Sequence, residues 1–198
     1  MIHRLAEKIV TGQIRKGTMH EEERNKYIYA YEVFLDQVFN FAIAFVLGIV
    51  THELLAVCVF LAIYIPLRKY AGGFHAKTNG RCMVYSTLVI VGVILCNKVG
   101  TGFVTGVWVL AVLSGISVIL LVVVEALTPV EAVNKKLTKE EKLRCRKKVS
   151  LFGVIHTACM AANLVWMRMD FLVIDFLFAY LVLTGVLVAG DMVNKKSQ

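Results

Sequence analysis

Long apolar runs separated by short polar stretches organise this chain of 198 residues. They cover about residues 31–50, 54–67, 82–96, 103–127, 149–167 and 171–190. Most approach the roughly 20 residues that a helix needs to cross a bilayer. The pattern predicts an all-α fold: a polytopic membrane helical bundle of about six transmembrane helices. The second and third runs are the shortest, and if both are re-entrant, four full crossings remain. Residues 1–30 differ. Ile2, Leu5, Ile9 and Ile14 recur at near-helical spacing, with Arg4, Lys8 and Arg15 between them. This predicts an amphipathic N-terminal interfacial helix on an anionic leaflet, with a soluble cap on the bundle as the other reading. Glu21-Glu22-Glu23 marks a second helix start or a solvated face. No polar run is long enough to fold separately, so residues 1–198 read as a single domain: amphipathic 1–30, bundle 31–190 and cytoplasmic tail 191–198. No cleavable signal peptide is expected, because residues 1–30 lack a continuous apolar run before a small-residue cleavage site.

Composition agrees with the pattern. Hydrophobic residues make up 58% and charged residues 18%, and the mean hydropathy is +0.71; a soluble domain carries about a quarter charged residues. The net charge of +8 would suggest nucleic acid in a soluble protein. Here the basic residues sit between apolar runs, where membrane orientation accounts for them and no nucleic-acid partner is expected. Lys and Arg number 6 in residues 1–30, 4 in 68–81, 8 in 128–148 and 2 in the tail, against 2 in the remaining connections together. The positive-inside rule therefore assigns both termini and the 68–81 and 128–148 loops to the cytoplasm. The five cysteines are scattered with no CxxC pair, so neither a metal site, a cofactor nor a disulfide framework is expected.

The most informative stretch is the polar island from Arg68 to Cys82. It holds the Gly72-Gly73 pair, an Asn79-Gly80 turn, four basic residues, His75 and Cys82. On one continuous helix His75 and Cys82 would lie roughly 10 Å apart, too far for a thiol and its base, so joint action requires the chain to fold back. The glycines supply that freedom. Arg68, Lys69, Lys77 and Arg81 surround the thiol with positive charge, the setting in which a cysteine serves as a nucleophile with a nearby imidazole as base. The plainer reading is a packing cysteine and a histidine that faces headgroups.

Other polar residues stand out against the apolar runs. Glu32, Asp36 and Asn40 are spaced by four and share one helical face, either to orient His75 or bind a basic substrate, or to lock helix packing. Glu125 closes the fourth span and is a similar candidate. His156, Asn163 and Asp175 either line a path for a substrate or hydrogen-bond between helices. Cys58, Cys96 and Cys159 read as apolar filler, and Cys145 as more exposed. The 128–148 loop carries Lys135, Lys136, Lys139 and Lys142, which set topology and meet lipid headgroups or dock an acidic peptide segment. Gly102 and Gly106 form one GxxxG, a weak sign of close helix packing.

The run Arg68-Lys69-Tyr70-Ala71-Gly72-Gly73-Phe74-His75, six further residues and Cys82 resembles the signature of the accessory gene regulator B (AgrB) family of quorum-sensing membrane endopeptidases. The basic amphipathic N-terminus, the chain length and the order of spans are similar as well. The resemblance implies a substrate like AgrD: a small propeptide with an amphipathic leader and an acidic C-terminal tail that is removed on the cytoplasmic face. It implies Cys82 as nucleophile and His75 as general base, an acyl-enzyme thioester, and ring closure to a thiolactone or lactone. It also implies a homodimer in the bacterial plasma membrane. Position suggests the Gly72 and Gly73 amides as an oxyanion hole and the basic loop as a dock for the acidic tail. The competing readings are a small peptide exporter or channel subunit without protease activity, with Asp36, His156 and Asp175 along its path, and a scaffold that only recruits a peptide.

Overall fold

A computed structural model describes residues 2–73, 79–100, 102–104, 106–131 and 137–196. Seven α-helices follow one another: α1 (Ile2–Arg15), α2 (Arg24–Val50), α3 (Leu54–Ala71), α4 (Asn79–Gly100), α5 (Val107–Leu127), α6 (Lys139–Ala162) and α7 (Asp170–Lys196). A 3-10 turn at Glu21–Glu23 precedes α2, and a π-helical turn at Asn163–Met167 ends α6. Six of these helical segments, all but α1, are long and apolar enough to cross a membrane. Helices suit the setting because each backbone amide finds its acceptor within the same segment, where lipid offers none.

The second and third spans are full helices of 18 and 22 residues, so the re-entrant reading of these two gives way to six spans. Their ends extend past the apolar runs. α4 keeps Asn97 within the helix because that side chain is bonded on both sides: its amide donates to Val93 O at 3.0 Å and to Asp175 Oδ1 at 2.7 Å. α5, in contrast, starts four residues later than the apolar run. Gly102 lies in a turn and Gly106 is the N-cap of α5. The GxxxG expected there is therefore not on a helical face, and the packing argument drawn from it falls.

α7 is the centre of the bundle. Of its apolar window 44% is buried, against 11% for α2 at the rim. It packs most extensively on α5, then on α3 and α4. Phe60, Leu67, Tyr180, Leu183 and Leu187 are among the largest sealed side chains of this core. The outward faces carry Phe34, Leu88, Val112, Ile119 and Leu181, as expected where lipid and not water is the surrounding medium. Trp108 and Trp166 are 83% and 81% exposed. Both lie at the end of the bundle away from the termini, where tryptophan side chains sit at a membrane–water boundary. α1 spends its narrow apolar stripe on α2. Ala6 and Val10 are sealed against Ile28, fringed by Ile14, Tyr27, Tyr31 and Leu35, while Arg4, Lys8 and Arg15 stay exposed.

Candidate functional site

The polar island falls between the end of α3 and the start of α4, at the end of the bundle that carries both termini. Cys82 is the fourth residue of α4 and is exposed. The amides of the three residues before it, Asn79, Gly80 and Arg81, have no acceptor within the helix. His75 lies outside the described residues, so the distance between the two is not among the observations. Tyr64, one turn before Arg68 in α3, is hydrogen-bonded by the Arg68 guanidinium and lies within electrostatic range of Cys82.

What holds the entrance to this region is a backbone bridge. Gly72 pairs in parallel with Val130 of the α5–α6 connection. Val130 N–H donates to Ala71 O at 2.9 Å, and Gly73 N–H donates to Val130 O at 3.3 Å. The Arg68 guanidinium donates to Gly72 O. Both glycines are required by geometry. Their φ values are +78° and +105°; a Cβ on Gly72 would collide with Val130 O, and one on Gly73 would come within 2.9 Å of Val186 O in α7. Neither amide is available as an oxyanion donor. Gly72 N–H is spent on Arg68 O and Gly73 N–H on Val130 O, so that expectation does not hold in this conformation.

The connection is held from its other side by α6. Thr138 and Glu141 close a capping box that starts the helix. From its first turns Lys142 Nζ reaches Glu131 Oε1 at 2.8 Å, Leu137 N–H donates to the same oxygen at 3.0 Å, and Arg146 Nε donates to Thr128 O at 3.0 Å. Lys142 thus has an internal acidic partner, while Lys139 is exposed at the start of α6. Lys135 and Lys136 lie outside the described residues. The sequence pattern did not single out Thr128, Val130 or Glu131, and it read Arg146 only as one of the basic residues of the 128–148 loop. Their part depends on a contact between segments almost 60 residues apart, and the proline after Thr128 was the one local sign of a fixed turn there.

The remaining candidates separate into two groups. On α2, which packs against α4, Glu32 contacts His3 of α1. Asp36 Oδ1 and Asn40 Oδ1 are buried with no hydrogen-bond partner among the described residues. Glu32 and Cys82 sit equally far from the opposite ends of their helices, and Asp36 lies one turn, about 6 Å, deeper. Glu125 of α5 rests against Gly153 of α6, where an added Cβ would strike its carboxylate. Of the groups assigned to a transport path, His156 and Asp175 are bonded to neighbouring helices, as Asn163 is to the next turn, while Asp36 is not. His156 Nδ1 meets Tyr180 OH at 3.0 Å, Asp175 is bonded to Asn97, and Asn163 bonds both backbone groups of Met169 at 2.9 and 3.1 Å. Cys96 and Cys159 are exposed on the outer face, and Cys58 and Cys145 are half-buried. Among the described residues no group of three His, Cys, Asp or Glu side chains could hold a metal ion.

Comparison with known proteins finds no match among curated proteins and none among solved structures. Comparison with protein families finds one that spans almost the entire chain. The family described as Accessory gene regulator B, AgrB, matches residues 2–190, which takes in every membrane-spanning helix and the island at 68–82. This multi-pass helical membrane protein belongs to the accessory gene regulator B family.

Proposed function

We propose that the protein is a membrane cysteine endopeptidase and peptide cyclase for quorum sensing. Its substrate is a small AgrD-like propeptide, whose C-terminal tail it removes at the cytoplasmic face. The observation that carries the reading is an exposed Cys82 in the first turn of α4, in a member of this family. Sidedness is supported by the basic residues, which cluster at the end of the bundle that bears the termini.

In this reading His75 takes the Cys82 proton and the sulfur attacks the carbonyl carbon that precedes the tail. The C–N bond breaks, the new amine takes the proton from the imidazolium, and the acyl group stays on Cys82 as a thioester. An internal thiol or hydroxyl of the peptide then attacks that thioester, the ring closes and Cys82 is released as a thiol. Exchange of one thioester for another is nearly balanced in bond energy, so the step depends on keeping water away, which a site at the membrane edge assists. With the Gly72 and Gly73 amides already engaged, the donors left for the oxyanion are the first amides of α4, those of Asn79, Gly80 and Arg81. The buried acceptors Asp36 Oδ1 and Asn40 Oδ1 suit an imidazole N–H or a basic group of the peptide. Lys139, with Lys135 and Lys136, attracts the acidic tail.

The test uses full-length protein in proteoliposomes with a synthetic AgrD-type precursor. Mass spectrometry should find the released tail and an acyl adduct on Cys82. Cys82→Ala should abolish both. Tail release by Cys82→Ala at the parent rate would discard the reading, and an exporter or a recruiting scaffold would be indifferent to this change.

A further inference from the structure

The ties from α6 to the α5–α6 connection form one continuous path to the proposed site. Lys142 and Arg146 are four residues apart and therefore share a helical face. One fixes Glu131 at 2.8 Å and the other fixes the Thr128 carbonyl at 3.0 Å. Between these two anchors lies Val130, 9% exposed, and its N–H and C=O are the groups that pair with Ala71 and Gly73. Thr128 is held from within as well, its hydroxyl donating to Val124 O at 2.7 Å. The end of α3 is tied to itself by two hydrogen bonds, from Gly72 N–H to Arg68 O and from the Arg68 guanidinium to Gly72 O. Its direction relative to the rest of the bundle is set by Val130 on one side and by the close approach of Val186 at Gly73 on the other. The next residue after this pair begins the segment that contains His75.

We propose that Lys142 and Arg146 are positioning residues for the reaction: through Glu131 and Thr128 they fix Val130 as a backbone template, and the template fixes Gly72 and Gly73, the residues that immediately precede the segment containing His75. This rests on the reading of His75 and Cys82 given above. The residues touch neither substrate nor the reacting atoms. It gives these two members of the basic cluster a task different from tail attraction: their charged groups are engaged by Glu131 and by a carbonyl, while Lys139 is exposed. It also accounts for the geometric demand at Gly72, since only a residue without Cβ lets the template come this close.

Two measurements on the full-length protein in nanodiscs test this, with Cys58, Cys96, Cys145 and Cys159 replaced by Ser. The first is amide hydrogen exchange over residues 70–73 and 128–131, which reads the template without reference to chemistry. The second is the rate of Cys82 alkylation by iodoacetamide with and without His75→Ala, which isolates the part of thiol reactivity that depends on the imidazole. In the parent, His75→Ala should slow alkylation about tenfold or more. The double variant Lys142→Met/Arg146→Met should speed exchange in both segments and lose that His75 dependence, while alkylation itself continues at the His75→Ala rate. Lys142→Arg/Arg146→Lys keeps both charges and should restore most of the dependence, which a variant that is merely misfolded would not do. Unchanged exchange in the double variant, or faster exchange with His75 dependence intact, overturns the positioning role and leaves the cysteine peptidase reading standing. No effect of His75→Ala in the parent overturns that reading itself, and the positioning role with it.

Discussion

Asn97 of α4 donates its side-chain amide to Asp175 of α7 across 2.7 Å, and the two residues are 1% and 0% exposed. The second carboxylate oxygen of Asp175 is buried with no hydrogen-bond partner among the described residues, so this bond is the principal satisfaction the group has. Asn97→Leu should therefore destabilise the bundle by about 1–2 kcal/mol, read as a lower midpoint for unfolding in mixed micelles. A midpoint equal to that of the parent would show that the pair contributes nothing to holding α4 on α7.

Gly72 faces the Val130 carbonyl at a φ of +78°. Gly72→Ala meets both a collision and a disfavoured backbone, a local cost of about 1–3 kcal/mol. Gly12 in α1 has nothing within 4 Å of the same added atom. Gly12→Ala should be neutral or slightly stabilising, since alanine favours a helix by about 0.8–1 kcal/mol over glycine. Thermal unfolding of the two variants side by side checks the contrast; equal effects would remove the argument from the bridge.

Cys82→Ala and His75→Ala separate the enzyme from a transport protein. Each should lower tail release from a synthetic precursor by about a hundredfold or more. Translocation of a pre-cyclised peptide into proteoliposomes, if the protein performs it, should not respond to either change.

His156 and Tyr180 give the opposite test. Their hydrogen bond at 3.0 Å lies among Phe152 and Phe176, so His156→Phe should cost about 1 kcal/mol of stability and leave tail release within about twofold. A loss of activity as deep as that of Cys82→Ala, in a variant with the parent's unfolding midpoint, would place His156 in the function and not in the packing.

Asp36 and Asn40 test the orienting role of α2. Asp36→Asn in the same assay should lower kcat while KM stays near its parent value if the carboxylate supports His75. A raised KM with unchanged kcat would assign it to peptide binding instead.

The bundle itself was legible because lipid leaves few alternatives for a run of apolar residues: the order of spans follows from the runs at 31–50 through 171–190. Cys82 was legible because a thiol, four basic residues and a glycine pair stand out in so apolar a chain. Boundaries were less so. Asn97 is polar and ended the third run on paper, yet the bond to Asp175 keeps it inside α4. Phe103 is apolar and began the fourth run, yet Gly106 caps α5 and keeps it outside. The role of the basic loop was half legible. Charge showed where Lys142 and Arg146 lie relative to the bilayer, but not that they bond to Glu131 and Thr128, since that depends on how the α5–α6 connection folds back on the start of α6. The Gly72 and Gly73 amides are a similar case. Two adjacent glycines in a polar stretch suggest free donors, and only the bonds to Arg68 O and Val130 O show them to be engaged.

The central place of α7 bears on how the protein is made. This helix leaves the ribosome after the other five spans, yet α5, α3 and α4 all pack on it. Until it is inserted, Asn97 waits in the bilayer for a partner 78 residues downstream, and Gly73 for the wall formed by Val186. The first five spans have contacts of their own, α2 with α3 and α4 and α3 with α6, but those to α7 form only once it is inserted. The wall behind Gly73 is complete only then, so a nascent chain should process peptide poorly before α7 is in the membrane.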